Sequence, residues 1–318
     1  MAEEMTIGVD IGGTKVAAAL VDAQGGISHK TRVPMVATGD AAAGFACVKS
    51  AVDAIFDAVP GARAAVRGIG ICAPGPLDPK TGVVLNPPNV PCWRGFPLAA
   101  ETEKAFGVPA RLDNDANAAG LAEAIWGRGA AYRNVFFAIL GTGIGTGIVI
   151  DKKIYHGRTG SAGEGGHVTI DYRGPRCGCG KYGCIEILAS GPAIARRAQA
   201  RLAGGAPSRM VELAGSFDQV RAEHVGEAFH GGAALAKEVL SETAFLLTVW
   251  LGTIIDILEP DVMVVGGGVA ELMSSFFETI RAGLPQWCIN QRATEIPLVL
   301  ARYGSDAGIA GAAALCFG

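Results

Sequence analysis

The chain has 318 residues, half of them apolar and 18% charged, with a formal net charge of −3 at pH 7. That composition excludes a disordered chain, and the slightly acidic balance excludes a nucleic-acid binder that works through bulk positive charge. A single hydrophobic core stops growing near ~250–300 residues, so two packed lobes are expected. Glycine is the outlier at 46 residues, about twice average usage, yet 16 prolines and no G-X-Y period exclude collagen. Cys47, Cys72, Cys92, Cys288 and Cys316 are scattered singly and read as small buried hydrophobes, whereas Cys177, Cys179 and Cys184 crowd together.

In chain order, Thr6–Val9 and Val16–Val21 read as β-branched strands around the turn Ile11-Gly12-Gly13-Thr14. Val48, Ala51, Val52 and Ile55 carry a helical period, and Gly68–Cys72 is a short buried strand. Residues 74–97, rich in proline and glycine, read as a long functional loop. Ala110–Leu112 is a strand, after which Asp113-Asn114 caps a helix from about Ala116 to Trp126. Val135 to Ile150 repeats the opening strand–glycine turn–strand pattern, a hint of two related lobes. Helices are expected from the cysteine cluster to Glu259, then a strand over Val262–Val265 and an apolar helix over Gly308–Phe317. Strands alternating with helices give an α/β class. The apolar stretch Thr243–Leu258 contains Asp256, falls short of the ~20 residues a membrane span needs, and reads as a core helix. With no secretory signal apparent, a cytoplasmic protein without membrane or nucleic-acid partners is expected.

Five segments carry chemistry. In Asp10-Ile11-Gly12-Gly13-Thr14-Lys15, a glycine pair after a strand can turn backbone N–H groups to an anion, with Asp10 placed for a metal-bound water. A tight hairpin with a capping aspartate is the alternative. Gly141-Thr142-Gly143-Ile144-Gly145-Thr146-Gly147 could cradle phosphate oxygens. The strand-like Ile148-Val149-Ile150 after it excludes a dinucleotide fingerprint, which opens a helix. Asp113 and Asp115 flank Asn114 at a helix start, where one serves as a cap or Asp115 orients an attacking hydroxyl and takes its proton late. His167, Cys177, Cys179 and Cys184 form a complete Cys₃His set for structural, tetrahedral zinc, with free thiols in a loop as the alternative. The metal would fix a loop presenting Glu164, His167 and Glu186 to sugar hydroxyls, which need partners wherever they are buried. Gly266-Gly267-Gly268 at a strand end can admit a flat ring such as adenine, or is a simple strand-to-helix turn.

These motifs, in this order and over nearly the whole chain, resemble the ROK family of sugar kinases and repressors: Asp10–Lys15, Asn114–Asn117, Leu140–Gly143, Gly163–His167, Cys177–Gly180, Gly183–Glu186 and Val265–Gly268. The resemblance implies a two-lobed, actin-like, hexokinase-type α/β fold (ribonuclease-H-like) with the active site in an inter-lobe cleft. The lobes would span 1–115, completed by a C-terminal helix over 304–318, and 116–303, with a zinc-binding loop over 163–186. It implies transfer of the ATP γ-phosphate to the 6-hydroxyl of a hexose, glucose first, with N-acetylmannosamine, N-acetylglucosamine and fructose as alternatives. Asp115 would be the catalytic base, and Asn89, Asn114, Glu164, His167 and Glu186 would bind sugar. Gly12, Gly13, Thr14, Lys15, Gly141, Thr142 and Gly143 would hold phosphates, Gly266, Gly267 and Gly268 adenosine, and Asp10 Mg²⁺ through water. His167, Cys177, Cys179 and Cys184 would bind zinc, with the second ring nitrogen of His167 turned to the sugar. Family habit implies a homodimer or higher homo-oligomer. Family repressors carry a DNA-binding segment before the sugar lobe; with five residues before the first strand here, a kinase is expected, ahead of a repressor or a non-catalytic sensor. Two departures stand out: Gly165-Gly166, where a bulky apolar residue usually precedes the final Gly-His and whose absence would loosen the sugar loop, and Cys92, where a glycine often precedes the tryptophan.

Overall fold

The computed structural model describes residues 4–205 and 207–317, so the ends of the expected lobes at 1–3 and 318 lie outside the described residues. The chain opens with strands β1 (Met5–Ile11), β2 (Lys15–Asp22) and β3 (Ile27–Pro34), helices α1 (Ala41–Ala58) and α2 (Ala62–Ala65), and β4 (Val66–Ala73). The proline-rich stretch holds the short hairpin β5 (Leu77–Asp78) and β6 (Val83–Val84) and a 3₁₀ turn at Pro91–Trp93 before α3 (Leu98–Phe106), β7 (Ala110–Asn114) and α4 (Asp115–Ile125). Strands β8 (Asn134–Leu140), β9 (Ile144–Ile150) and β10 (Lys153–Ile154) follow. Next come α5 (Ile185–Ala189), α6 (Gly191–Leu202), α7 (Arg209–Ala214), α8 (Ala222–His230) and α9 (Ala234–Leu258). The chain closes with β11 (Val262–Gly266), α10 (Gly268–Met273), α11 (Phe277–Gly283), β12 (Leu298–Leu300) and α12 (Ala307–Ala314).

Two five-stranded sheets form, with orders β3-β2-β1-β4-β7 and β10-β9-β8-β11-β12. The orders are the same topology read twice: three consecutive strands laid side by side, then two more added beside the first. In the first sheet β1–β2–β3 is antiparallel, while β4 and β7 run parallel to β1. The recurring strand–glycine–strand pattern in the sequence is thus the start of each repeat.

One compact unit contains residues 1–137, 147–163 and 301–318, and the other contains 138–146 and 164–300. In the first, Ile7, Val9, Ile11, Ile69 and Ile71 pack with Val48, Val52 and Ile55 of α1 on one face of the sheet. Ala17, Ala19 and Val21 meet Ile309 and Ala313 of α12 on the other. The sheet is therefore covered on both faces, and its inner strands are buried almost continuously instead of alternately. Helix α12 approaches very closely: a Cβ at Gly70 would lie 1.7 Å from the Ala312 carbonyl oxygen. This unit runs beyond residue 115 because α4 packs on α12, and the buried Glu123 carboxylate accepts Arg302 N–H at 2.6 Å and Tyr303 N–H at 3.2 Å.

In the second unit, α9 is the central helix and packs with α5, α6, α8 and α11. At 25 residues it is longer than its apolar stretch suggests, and by length and composition it could cross a membrane. Val239, Leu240 and Trp250 are nonetheless fully buried among protein side chains, as in a core helix.

Candidate active site and metal cluster

In the first unit, Asn114 ends β7 and caps α4. Its side chain accepts the N–H groups of Ala116 at 2.9 Å and Asn117 at 3.4 Å. Neither flanking aspartate is the cap, which corrects the expectation for Asp113 and Asp115. Asp113 is buried and accepts from Asn117 Nδ2 at 3.1 Å, with His156 Nε2 at 2.5 Å from its other oxygen. Asp115 opens the helix, exposed, with Oδ1 2.8 Å from the Ala116 N–H.

The turn after β1 closes through Gly12 N–H to Lys15 O at 2.9 Å, leaving Thr14 and Lys15 exposed. Gly13 packs against Asn89: a Cβ on it would lie 3.2 Å from the Asn89 carbonyl oxygen, so the proline-rich loop reaches the glycine turn. Burial pushes the Asp10 carboxyl above its ordinary value, opposed by the Cys72 thiol at 3.4 Å and by Lys15 and Arg32. A desolvated carboxylate of this kind fits a cation bound through water, since the ion would offset its cost.

In the second unit, the ligand atoms of His167, Cys177, Cys179 and Cys184 all lie within 4.8 Å of one another. Cys177 Sγ is 3.7 Å from His167 Nδ1, and Cys179 Sγ is 3.7 Å from Cys184 Sγ. Tetrahedral zinc with bonds of about 2.3 Å to sulfur and 2.0–2.1 Å to nitrogen separates its ligands by about 3.8 Å (S···S) and 3.6 Å (S···N). Those two separations match the ion, and the four ligand atoms lie close enough together for small side-chain movements to complete the set. Burial, with Cys179 adjacent, pushes the Cys184 thiol up to about 12, whereas the Lys181 N–H holds Cys179 below its ordinary value.

Nδ1 of His167 faces the thiols. Glu186, in the first turn of α5, accepts the Ile144 N–H at 3.0 Å through Oε2, and its Oε1 lies 4.0 Å from His167 Nδ1. Glu164 is exposed just before the single 3₁₀ turn Gly165–His167. The paired glycines do not loosen this loop. Gly165 N–H donates to Thr146 Oγ1 at 2.7 Å, and its carbonyl accepts the Trp250 indole N–H at 3.0 Å. Gly166 lies so close to β9 that a Cβ would sit 1.8 Å from the Ile144 carbonyl oxygen.

The second unit also contains a cavity of about 1080 Å³. Gly141, Thr142 and Gly268 line it, whereas Gly143, Gly266 and Gly267 do not. Its remaining walls include Arg196 and Gln199 of α6, Asp218, and Glu223, Glu227 and His230 of α8. Sequence reasoning missed these side chains, because polar residues on surface helices carry no pattern that sets them apart.

The ROK family model matches residues 6–317. A glucokinase of Streptomyces coelicolor is 36% identical, covering 98% of this chain and 97% of the relative. An N-acetylmannosamine kinase of Salmonella typhi is 33% identical, with 98% of each covered. Among solved structures, a ROK family glucokinase from Streptomyces griseus in complex with glucose and AMPPNP is 35% identical, with a TM-score of 0.79 and 98% of each chain covered. A ROK family transcriptional regulator homologous to the E. coli MLC protein has a TM-score of 0.87 at 27% identity, covering 99% of this chain and 78% of that one. This chain belongs to the ROK family and has the two-lobed, actin-like α/β fold of its sugar kinases.

Proposed function

We propose that this protein, a ROK-family sugar kinase, transfers the γ-phosphoryl group of ATP to the 6-hydroxyl of glucose, with Asp115 as catalytic base. The observation that carries the reading is the similarity, end to end, to glucokinases at 33–36% identity, one of whose structural relatives holds glucose and AMPPNP. Asp115 accepts the hydroxyl proton as the O6–Pγ bond forms and the bond from Pγ to the ADP oxygen breaks. A carboxylate is a sufficient base here, because the loose transition state asks mainly for alignment and charge neutralisation. Asn89, Asn114, Glu164, His167 and Glu186 bind sugar hydroxyls. The turns Gly12–Lys15 and Gly141–Gly143 are closed by the N–H groups of Gly12 and Gly141 and would turn their other N–H groups to phosphates, and the Gly266–Gly268 turn would admit the adenosine where Gly268 lines the cavity. Asp10 would hold Mg²⁺ through water, and the ion would neutralise charge on the β- and γ-phosphate oxygens.

His167, Cys177, Cys179 and Cys184 would hold zinc, leaving no open coordination position, so its contribution is to shape the sugar loop. A reducing, cytoplasmic setting belongs to the same proposal, since oxidised thiols could not bind the ion. A homodimer is supported by Phe245, Ile257, Trp287 and Ile289, which are large, apolar and exposed in the second unit.

N-acetylmannosamine is the second reading, favoured by the Salmonella typhi relative. A coupled ADP-release assay across glucose, N-acetylmannosamine, N-acetylglucosamine and fructose tests both. Glucose should give the highest kcat/KM; an acetylated sugar at or above it overturns the glucose assignment.

A further inference from the structure

His156 and Asp113 stand 43 positions apart in the sequence and meet in the first unit, beside the Asn114–Asp115 turn. His156 Nε2 lies 2.5 Å from Asp113 Oδ2. The other Asp113 oxygen accepts the Asn114 N–H at 2.7 Å and Asn117 Nδ2 at 3.1 Å. Asp113 is 3% exposed and Asn117 4%, and Asn117 Oδ1 is already buried without a hydrogen-bond partner. A single buried carboxylate thus ties the end of β7, the first turn of α4 and the segment after β10. A carboxylate so placed needs all its donors, because an unpaired buried charge is costly.

We propose that His156 and Asp113 form a positioning pair that holds the Asn114–Asp115 turn in the orientation phosphoryl transfer requires. His156 acts through Asp113 and reaches neither substrate nor reacting atoms. The kinetic part of this inference rests on the proposed role of Asp115; the structural part does not.

The charged groups facing His156 are Asp113 from β7 and Lys80 from the turn between β5 and β6. Helix α4 contributes the neutral Asn117 to the same carboxylate. The hydrogen bond to Asp113 raises His156 above the ordinary imidazole value of 6.5; burial opposes it, the Asp113 charge reinforces it, and Lys80 opposes it. A raised folded value means that the ion pair's stabilisation is complete below about pH 6.5 and is lost as pH rises through the folded value.

The experiment compares the wild type, His156→Ala and His156→Gln, whose amide can still donate to Asp113. Three readouts are used: steady-state kinetics, imidazole titration by NMR, and amide hydrogen exchange at Asn114–Asn117. His156→Ala should lower kcat about ten- to a hundredfold, as misplacement of a reacting group does, and speed exchange at those amides. The KM for ATP should stay within about threefold, and His156→Gln should recover most of kcat. The His156 resonance should titrate above the ordinary value in the wild type. Wild-type exchange and turnover in His156→Ala would overturn the proposal, as would His156→Gln as impaired as His156→Ala. A wild type that phosphorylates none of the four sugars overturns the function proposed above, and exchange together with titration then decides the pair alone.

Discussion

The Asn114–Asp115 turn and the Glu164–Glu186 loop present polar side chains of similar chemistry but are built on opposite principles. The first lies where a parallel strand becomes a helix, and the strand and helix with their own hydrogen bonds hold each residue: Asn114 caps, Asp113 is saturated by one backbone and two side-chain partners, and Asp115 opens the helix. The second has one 3₁₀ turn between β10 and α5, isolated bridges, and four ligand atoms gathered within 4.8 Å. Where regular structure supplies the scaffold, one buried carboxylate shared between side chains completes the hold. Where it does not, a metal can take its place, provided the backbone is pinned at a few points such as Gly165 and Gly166.

The largest expected contrast comes from removing Asp115. Asp115→Ala should lower kcat about 10²–10⁴-fold, the usual contribution of a positioned base, while calorimetric sugar binding persists. Undiminished turnover would end the assignment. Stripping metal with a chelator, or Cys179→Ser, should act on the other region: sugar KM should rise about tenfold or more, and thermal stability should fall with it. Cys179 is exposed, so its serine variant opens no cavity. Metal analysis finding no zinc in protein purified under reducing conditions would remove the cross-link from the comparison.

Gly166→Ala tests the pinning itself. With a Cβ 1.8 Å from the Ile144 carbonyl oxygen, the loop or β9 must move, at a cost of about 1–3 kcal/mol by chemical denaturation. An unchanged midpoint would mean the loop has slack. Smallest is Asn114→Ala: loss of the cap should cost about 0.5–2 kcal/mol, and a null result would show that the turn does not depend on it.

The strands β1, β2, β4, β8, β9 and β11 were legible because apolar and β-branched runs adjoin glycine turns, α1 because its apolar positions are periodic, and α4 because the polar pair Asp113-Asn114 marks its start. Strand β3 was not: Ile27-Ser-His-Lys-Thr-Arg-Val-Pro34 is polar and mostly exposed, and it is a strand through pairing with β2 at the sheet edge. Helix α3 was hidden beside the proline-rich stretch, and the three-residue β12 depends on β11 for its existence. The site motifs were legible for a different reason: a glycine turn, a helix start and a Cys₃His cluster are local, so their spacing carries their chemistry.

What depends on residues distant in the chain was settled only by folding. The pairing of His156 with Asp113, the tie from Glu123 to Arg302 and Tyr303, and the walls of the cavity from α6 and α8 all join segments that no local pattern connects. By itself the sequence determined the alternation of strands and helices, the repeat, and the identity of the chemical groups, because turns, periodicity and ligand spacing act over a few residues. The tertiary structure decided which carboxylate is buried and which exposed, and what each one holds, because burial is a property of packing between segments and not of any one of them.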